Sequence, residues 1–185
     1  MEIQPPDAPR IEVLKDPTQT SEAIRPAFEY WRAQRADAWA PSSRDFRLET
    51  LPPALIPWCV VVDVVTGPAT AEAGAVDFVY RFWGTERTRL FGRDLTGRSI
   101  SELQPVEMRD ANYIEYDEVR NTRQAIVCRK PARLSNLRAV QFESLRLPIT
   151  RNGETVDRIF AATCYQHLTE DHYRLFGTEA PAIHL

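Results

Sequence analysis

The stretch "FVYRFWGTERTRLFGRDLTGRSISEL", Phe78 to Leu103, decides how the rest of the chain is read. It opens as a strand and then changes period at Thr85. "TERTRLFG" reads as one or two helical turns with Thr85 at the start and Gly92 at the stop. "GRDLTGRSISEL" gives a turn and a further short helix entered at Ser99, with Glu102 three residues on as a capping box. Gly84, Gly92 and Gly97 do not form GxGxxG, and no GKS or GKT places a lysine and a hydroxyl on phosphates. A phosphate cradle also needs one substantial helix aimed at the anion, and these segments are short. The glycines are therefore scaffold: Gly84 lets the chain leave the strand, and Gly92 and Gly97 allow left-handed turns.

Working outward, "VDFVYRFW" places Val76, Phe78, Tyr80 and Phe82 on one face under strict alternation, and "WCVVVDVV" before it is strand-sized and β-branched. "TGPATAEAG" joins the two as an antiparallel pair. Downstream, "PVEMRDANYIEYDEVRNTRQA" is a longer helix with Pro105 at its start. "AIVCRKPARL", "RAVQFESLRLPIT" and "ETVDRIFAATCYQHL" are strands, with Asn152-Gly153 as a hairpin turn needing positive φ at both residues. "TEDHYRLFG" closes as a short helix.

Upstream, Met1 to about Thr20 is proline-rich and polar and reads as a flexible arm. "SEAIRPAFEYWRAQRADAW" carries Ile24, Phe28 and Trp31 at helical spacing, and Pro26 requires that this helix start near Arg25 or kink there. The apolar stripe needs a cover, either the body of the domain or a second copy of the chain. The second choice makes Ile24, Phe28 and Trp31 a homodimer interface. The divisions are an arm over 1–20, a helix and Pro-rich connector over 21–57, a sheet-and-helix domain over 58–168, and a short helix and tail over 169–185.

Composition limits the function classes. The chain has 185 residues, 43% hydrophobic and 26% charged, which suits a single globular core. A net charge of −3 supplies no whole-protein field toward nucleic acid or acidic lipid. "MEIQPPDAPR" lacks the features of a secretory signal, and no apolar run approaches membrane-spanning length. Cys59, Cys128 and Cys164 are odd in number and lack a CxxC pair, so neither a disulfide framework nor a cysteine zinc site is expected. A cytoplasmic setting fits.

The order helix, two strands, short helices, three strands is an α+β arrangement with one antiparallel sheet. Together with "YRFWGT", "GRDLTGRSISEL", "LRLPITRNG", "YWRAQR" and "LPPALIPWCVVVDV", it resembles the PAS fold, and more narrowly a bacterial PAS family often found as a stand-alone domain. The likeness covers roughly residues 25 to 168. It implies a five-stranded antiparallel sheet of order 2-1-5-4-3 with short helices on one face, preceded here by the N-terminal helix. A cavity is then expected between helices and sheet. It also implies a sensor that binds a small molecule and signals to a partner, without naming the molecule.

The haem-binding kind offers a histidine from the helical insert, but His167, His172 and His184 all lie near the C-terminus. The flavin-linking kind carries a cysteine on that insert, and none occurs from Thr85 to Ala125. Haem and covalently linked flavin are therefore not expected, and the cofactor is left unknown. Candidate ligand contacts are Phe78, Tyr80, Phe82 and Phe142 as apolar walls, with Tyr113, Tyr116, Cys128, Arg129 and Arg146 as polar groups. Asp63 and Glu143 are the acids an isomerase-like cone fold would use. The strand order, with two strands ahead of the insert, disfavours that enzyme. The expected function is a non-catalytic sensor or ligand-binding signalling module acting through self-association or a separate partner. A scaffold without a ligand is the alternative.

Overall fold

The computed structural model describes residues 10–67, 75–133 and 139–164. The short helix expected near the C-terminus, the three histidines and most of the "TGPATAEAG" segment lie outside them. Nine elements follow in order: β1 (Arg10–Val13), α1 (Arg25–Arg35), β2 (Cys59–Thr66), β3 (Val76–Trp83), α2 (Thr85–Phe91), α3 (Val106–Thr122), β4 (Ile126–Arg133), β5 (Ala139–Ile149) and β6 (Arg158–Cys164). They form a six-stranded sheet in the order β1-β4-β5-β6-β2-β3, with every neighbouring pair antiparallel. Without β1 this is the expected five-stranded 2-1-5-4-3 order.

The sixth strand comes from the segment expected to be a loose arm. Arg10 to Val13 pair with Arg129 to Ile126 of β4, and the backbone N–H of Leu14 continues the ladder by donating to Ala125 O at 2.8 Å. Arg129 then clamps the strand, donating to Glu12 Oε2 at 2.5 Å and to Gln19 O at 2.6 Å.

Alternation divides the sheet residues between two cores. On one face Val60, Val62, Phe78, Tyr80, Ile126, Cys128, Ile159 and Ala161 meet Leu95, Ile100, Leu103, Tyr116 and Val119 of the helical insert. On the other, Cys59, Val61, Val127, Leu145, Leu147, Phe160 and Ala162 meet α1 and the connector after it. Ile24, Phe28 and Trp31 are 2%, 2% and 4% exposed in this second core, and Trp31 Nε1 donates to Pro148 O at 2.7 Å. The body of the domain therefore covers the α1 stripe, and these three residues are not available to a second copy. The helix starts at Arg25, with Pro26 in its first turn where no intrahelical donor is lost.

Two local features depart from the sequence reading. The β2–β3 register slips between Val61, opposite Phe82, and Val62, opposite Tyr80, leaving Arg81 as the extra residue of a bulge. Phe82 is thereby turned away from Phe78 and Tyr80 and packs in the α1-side core. The β5–β6 connection is a hairpin, but not a tight Asn-Gly turn. Only Gly153 has positive φ, while Asn152 Oδ1 accepts from the backbone N–H groups of Glu154 and Thr155 at 2.9 and 3.2 Å and organises a longer loop.

Gly84 is required by close approach. Its φ of −63° suits any residue, yet a Cβ there would lie 2.1 Å from Pro57 O. That approach seats the Ile56–Trp58 turn against the start of α2. Gly92 instead ends α2 in the left-handed region at φ 73°, as the sequence predicts. Among the described residues, no helix is long and apolar enough to cross a membrane.

Candidate functional site

The insert-facing side of the sheet carries an ion cluster beneath α3. Residues 112, 115, 116 and 119 share one helical stripe, and Asn112, Glu115, Tyr116 and Val119 are its buried members. Strand alternation brings Cys128 and Lys130 of β4, and Ser144 and Arg146 of β5, up to the same stripe. Glu115, wholly buried, lies between Lys130 Nζ at 2.5 Å and Arg146 Nη2 at 2.7 Å. Asn112 Oδ1 accepts from Arg146 Nη2 at 2.8 Å and from Lys130 Nζ at 3.2 Å. The Arg146 guanidinium also lies over the Tyr116 ring, 5.1 Å from its centroid. A carboxylate can be dry at this depth only because two cations hold it.

Burial sets the protonation tendencies here. Desolvation pulls Lys130 below the ordinary lysine range, against the opposing pull of Glu115. Desolvation, assisted by Glu115, pushes the Cys128 thiol up to about 12. A thiol so protected is inert at neutral pH.

Arg87 of α2 and Thr163 of β6 extend the cluster. Arg87 Nη1 donates to Thr163 Oγ1 at 3.4 Å, and the Thr163 and Ser144 hydroxyls are 3.2 Å apart. Trp83 and Phe91 support the Arg87 guanidinium, with ring centroids 4.7 and 5.3 Å away. Arg87, Ser144 and Thr163 join Asn112, Lys130 and Arg146, with Phe142 and Met108, in lining a chamber of about 30 Å³ between insert and sheet. That volume holds a water-sized or small ionic guest. Its polar lining is rich in donors, so a guest must be able to accept hydrogen bonds.

The two acids considered for catalysis are both tied into ion pairs on the opposite face. Asp63 Oδ1 accepts from Arg158 Nε at 2.7 Å and Oδ2 from Arg81 Nη1 at 3.2 Å. Glu143 accepts from Arg129 Nε at 3.2 Å and from the backbone N–H of Ser21 at 2.7 Å. Neither stands in an apolar cavity. Among the described residues, no group of three or more His, Cys, Asp or Glu is placed to hold a metal ion.

The structure brings Phe78, Tyr80, Tyr116, Cys128 and Arg146 together on the insert face, with Phe142 at the chamber. Tyr113 sits at the margin, 39% exposed, its ring 5.3 Å from Phe78 and its hydroxyl donating to Val76 O at 3.3 Å. Phe82 and Arg129 are on the other face. The bulge moves Phe82, and Arg129 is an odd-numbered neighbour of Cys128 that alternation turns toward Glu12 and Glu143. Glu115, Lys130 and Asn112 were not singled out from sequence, and Arg87, which beside Arg89, Glu86 and Asp94 reads as part of a solvated helix face, is 3% exposed. The signal was present in the 112/115/116/119 stripe and in the 128/130 and 144/146 alternation, but it appears only when helix and strands are laid together.

The PAS domain family matches residues 19–164. No curated protein sequence matches the chain. Among solved structures, the chain is similar to one described as an RNA-binding Light-Oxygen-Voltage receptor, at 16% identity and a TM-score of 0.37. That match covers 92% of this chain and 41% of the receptor chain, so the chain spans about two fifths of that structure's length. The matched residues take in α1, the whole helical insert and the five strands in 2-1-5-4-3 order, and the chain belongs to the PAS domain family.

Proposed function

We propose that the chain is a non-catalytic sensor or ligand-binding signalling module whose input is read beneath α3. The observation carrying this reading is the donor-lined chamber set into an otherwise apolar interface between insert and sheet. A buried polar cluster of this kind costs free energy unless fully satisfied, so its occupancy biases how α3 sits on β4 and β5. The guest class is a small acceptor, such as an inorganic anion or the carboxylate of a larger molecule admitted when α3 shifts. Output passes to a separate protein or to another copy of the chain. The pairing of Asp63 and Glu143 with arginines supports binding over proton abstraction.

Native mass spectrometry of the purified chain, compared with its denatured mass, tests the reading. A bound species lost on denaturation, and retained less by Arg146→Met, is the expected result. A second reading, an interaction scaffold with a filled interior, is favoured by the chamber's size. At about 30 Å³ it is far below the roughly 300–1,000 Å³ of usual ligand pockets. Equal native and denatured masses would select the scaffold.

A further inference from the structure

The α1-side face of the sheet holds a space larger than the chamber beneath α3. A cleft of about 340 Å³ lies between the connector after α1 and the sheet. Its apolar surface comes from Val61, Phe82 and Ile149 of the sheet and from Phe46 and Leu48 of the connector. Three guanidinium groups, those of Arg47, Arg81 and Arg158, border it, and it opens to solvent past exposed Arg47 and Glu49.

The connector wall is tied down. Ser43 N donates to Thr150 O at 2.7 Å, and Tyr30 both accepts from Arg47 N at 3.2 Å and donates to Arg47 O at 3.1 Å. Phe46 packs between the Tyr30 and Phe160 rings at centroid distances of 5.3 and 5.1 Å. The cleft is therefore formed before any guest arrives, which lowers the ordering cost of binding.

The bulge in β3 supplies a second, independent pointer. Regular pairing would send Arg81 and Phe82 to opposite faces. The slip at Val61/Val62 instead delivers both to the cleft, a cation beside an aromatic ring. Bulges commonly re-aim side chains beside binding sites. Charge then narrows the guest. Asp63 is shared by Arg81 and Arg158, and Glu49 lies at the mouth, so three cations against two carboxylates leave one positive charge.

We propose that this cleft is a second binding site, for a small apolar monocarboxylate, with its ring or short chain on Val61, Phe82 and Ile149 and its carboxylate on the Arg81 and Arg47 guanidiniums. A guanidinium fork matches a carboxylate in two parallel hydrogen bonds. One surplus charge matches a monoanion and does not balance a phosphate dianion. The rings and branched side chains of the floor give a sugar no hydrogen-bonding partners.

Titration of methyl-labelled protein with phenylacetate, followed by NMR, tests the site. Saturable shifts of the Leu48, Val61 and Ile149 methyls are expected, and none with neutral phenylacetamide. Arg81→Gln and Arg47→Gln, both at exposed positions, should each weaken phenylacetate by about tenfold, the effect of one charge-assisted hydrogen bond. Asp63→Asn should tighten it, because the arginines lose a competitor. The proposal is overturned by an absence of saturable shifts, by equal response to the amide, by tighter binding of phenyl phosphate, or by indifference to both arginine variants. Shifts confined to Ile126 and Val119 would also overturn it while favouring the chamber beneath α3, so the two sites fail separately.

Discussion

Each face of the sheet holds the same device, a carboxylate clamped by two cations, under opposite conditions of solvation. On the insert face Glu115 lies between Lys130 and Arg146, and the acid and the arginine are 0% and 2% exposed. On the α1 face Asp63 lies between Arg158 and Arg81, where the acid is 28% exposed and Arg81 52%. Contact distances are alike, but the energetic meaning differs. Water can replace any member of the Asp63 cluster, and mobile salt screens it. A lost member of the Glu115 cluster is far harder to replace, because Glu115 and Arg146 are almost wholly buried beneath α3. One face thus stores its charges in a fixed frame, and the other keeps its arginines exchangeable.

The largest effect is expected at Glu115. Glu115→Gln keeps the shape but leaves Lys130 and Arg146 without their counter-charge, and it should cost about 3–5 kcal/mol of stability in urea unfolding. The apolar triple variant Glu115→Leu, Lys130→Met, Arg146→Met should recover most of that loss, since it removes the desolvation cost with the pair. A Glu115→Gln protein as stable as wild type would mean that solvent compensates the lost charge as it does at Asp63, and the contrast between faces would be lost.

A second effect comes from the buried thiols. Cys59 on the α1 face and Cys128 on the insert face are both pushed by burial from the ordinary 9.0 to about 12. The fold favours the protonated form, so this contribution is complete below pH 9 and is lost as pH climbs from 9 toward 12. Well above pH 9, each thiol should cost about 1.4 kcal/mol per pH unit relative to the unfolded chain. Urea midpoints at pH 8 and pH 10.5 measure the slope. Cys128→Ala and Cys59→Ala should each flatten it, and an unchanged slope in both would show that solvent reaches the thiols.

Much of this fold was legible because its strands are short, β-branched and punctuated, and because the run from Gly84 to Leu103 could not be one long helix. The strand order came from the resemblance to the PAS fold, since periodicity alone does not say which strands pair. The first strand was not legible. Four residues following a proline-rich start carry too little periodicity, and β1 is held by Arg129, which lies more than a hundred positions away. The bulge was hidden too, since alternation through Arg81 and Phe82 looks regular until β2 fixes the register. The site was half visible: aromatic and basic residues stood out singly, but nothing in the sequence marked Glu115 among the acids of its helix. Its meaning depends on the residues of β4 and β5 that face it.

The smallest stability effect should fall on Asp63. Asp63→Asn removes the acceptor charge for Arg81 and Arg158, yet both arginines retain access to water, at 52% and 19% exposure. The expected loss is under about 1 kcal/mol. Ionic strength sharpens the comparison further. Raising salt to about 1 M shortens electrostatic reach to about 3 Å, so the difference between wild type and Asp63→Asn should vanish there, while the Glu115→Gln difference persists because buried charges such as Glu115 and Arg146 are screened much less. Equal salt sensitivity of the two variants would place both clusters in the same environment, and the distinction between a fixed face and an exchangeable one would have no physical basis.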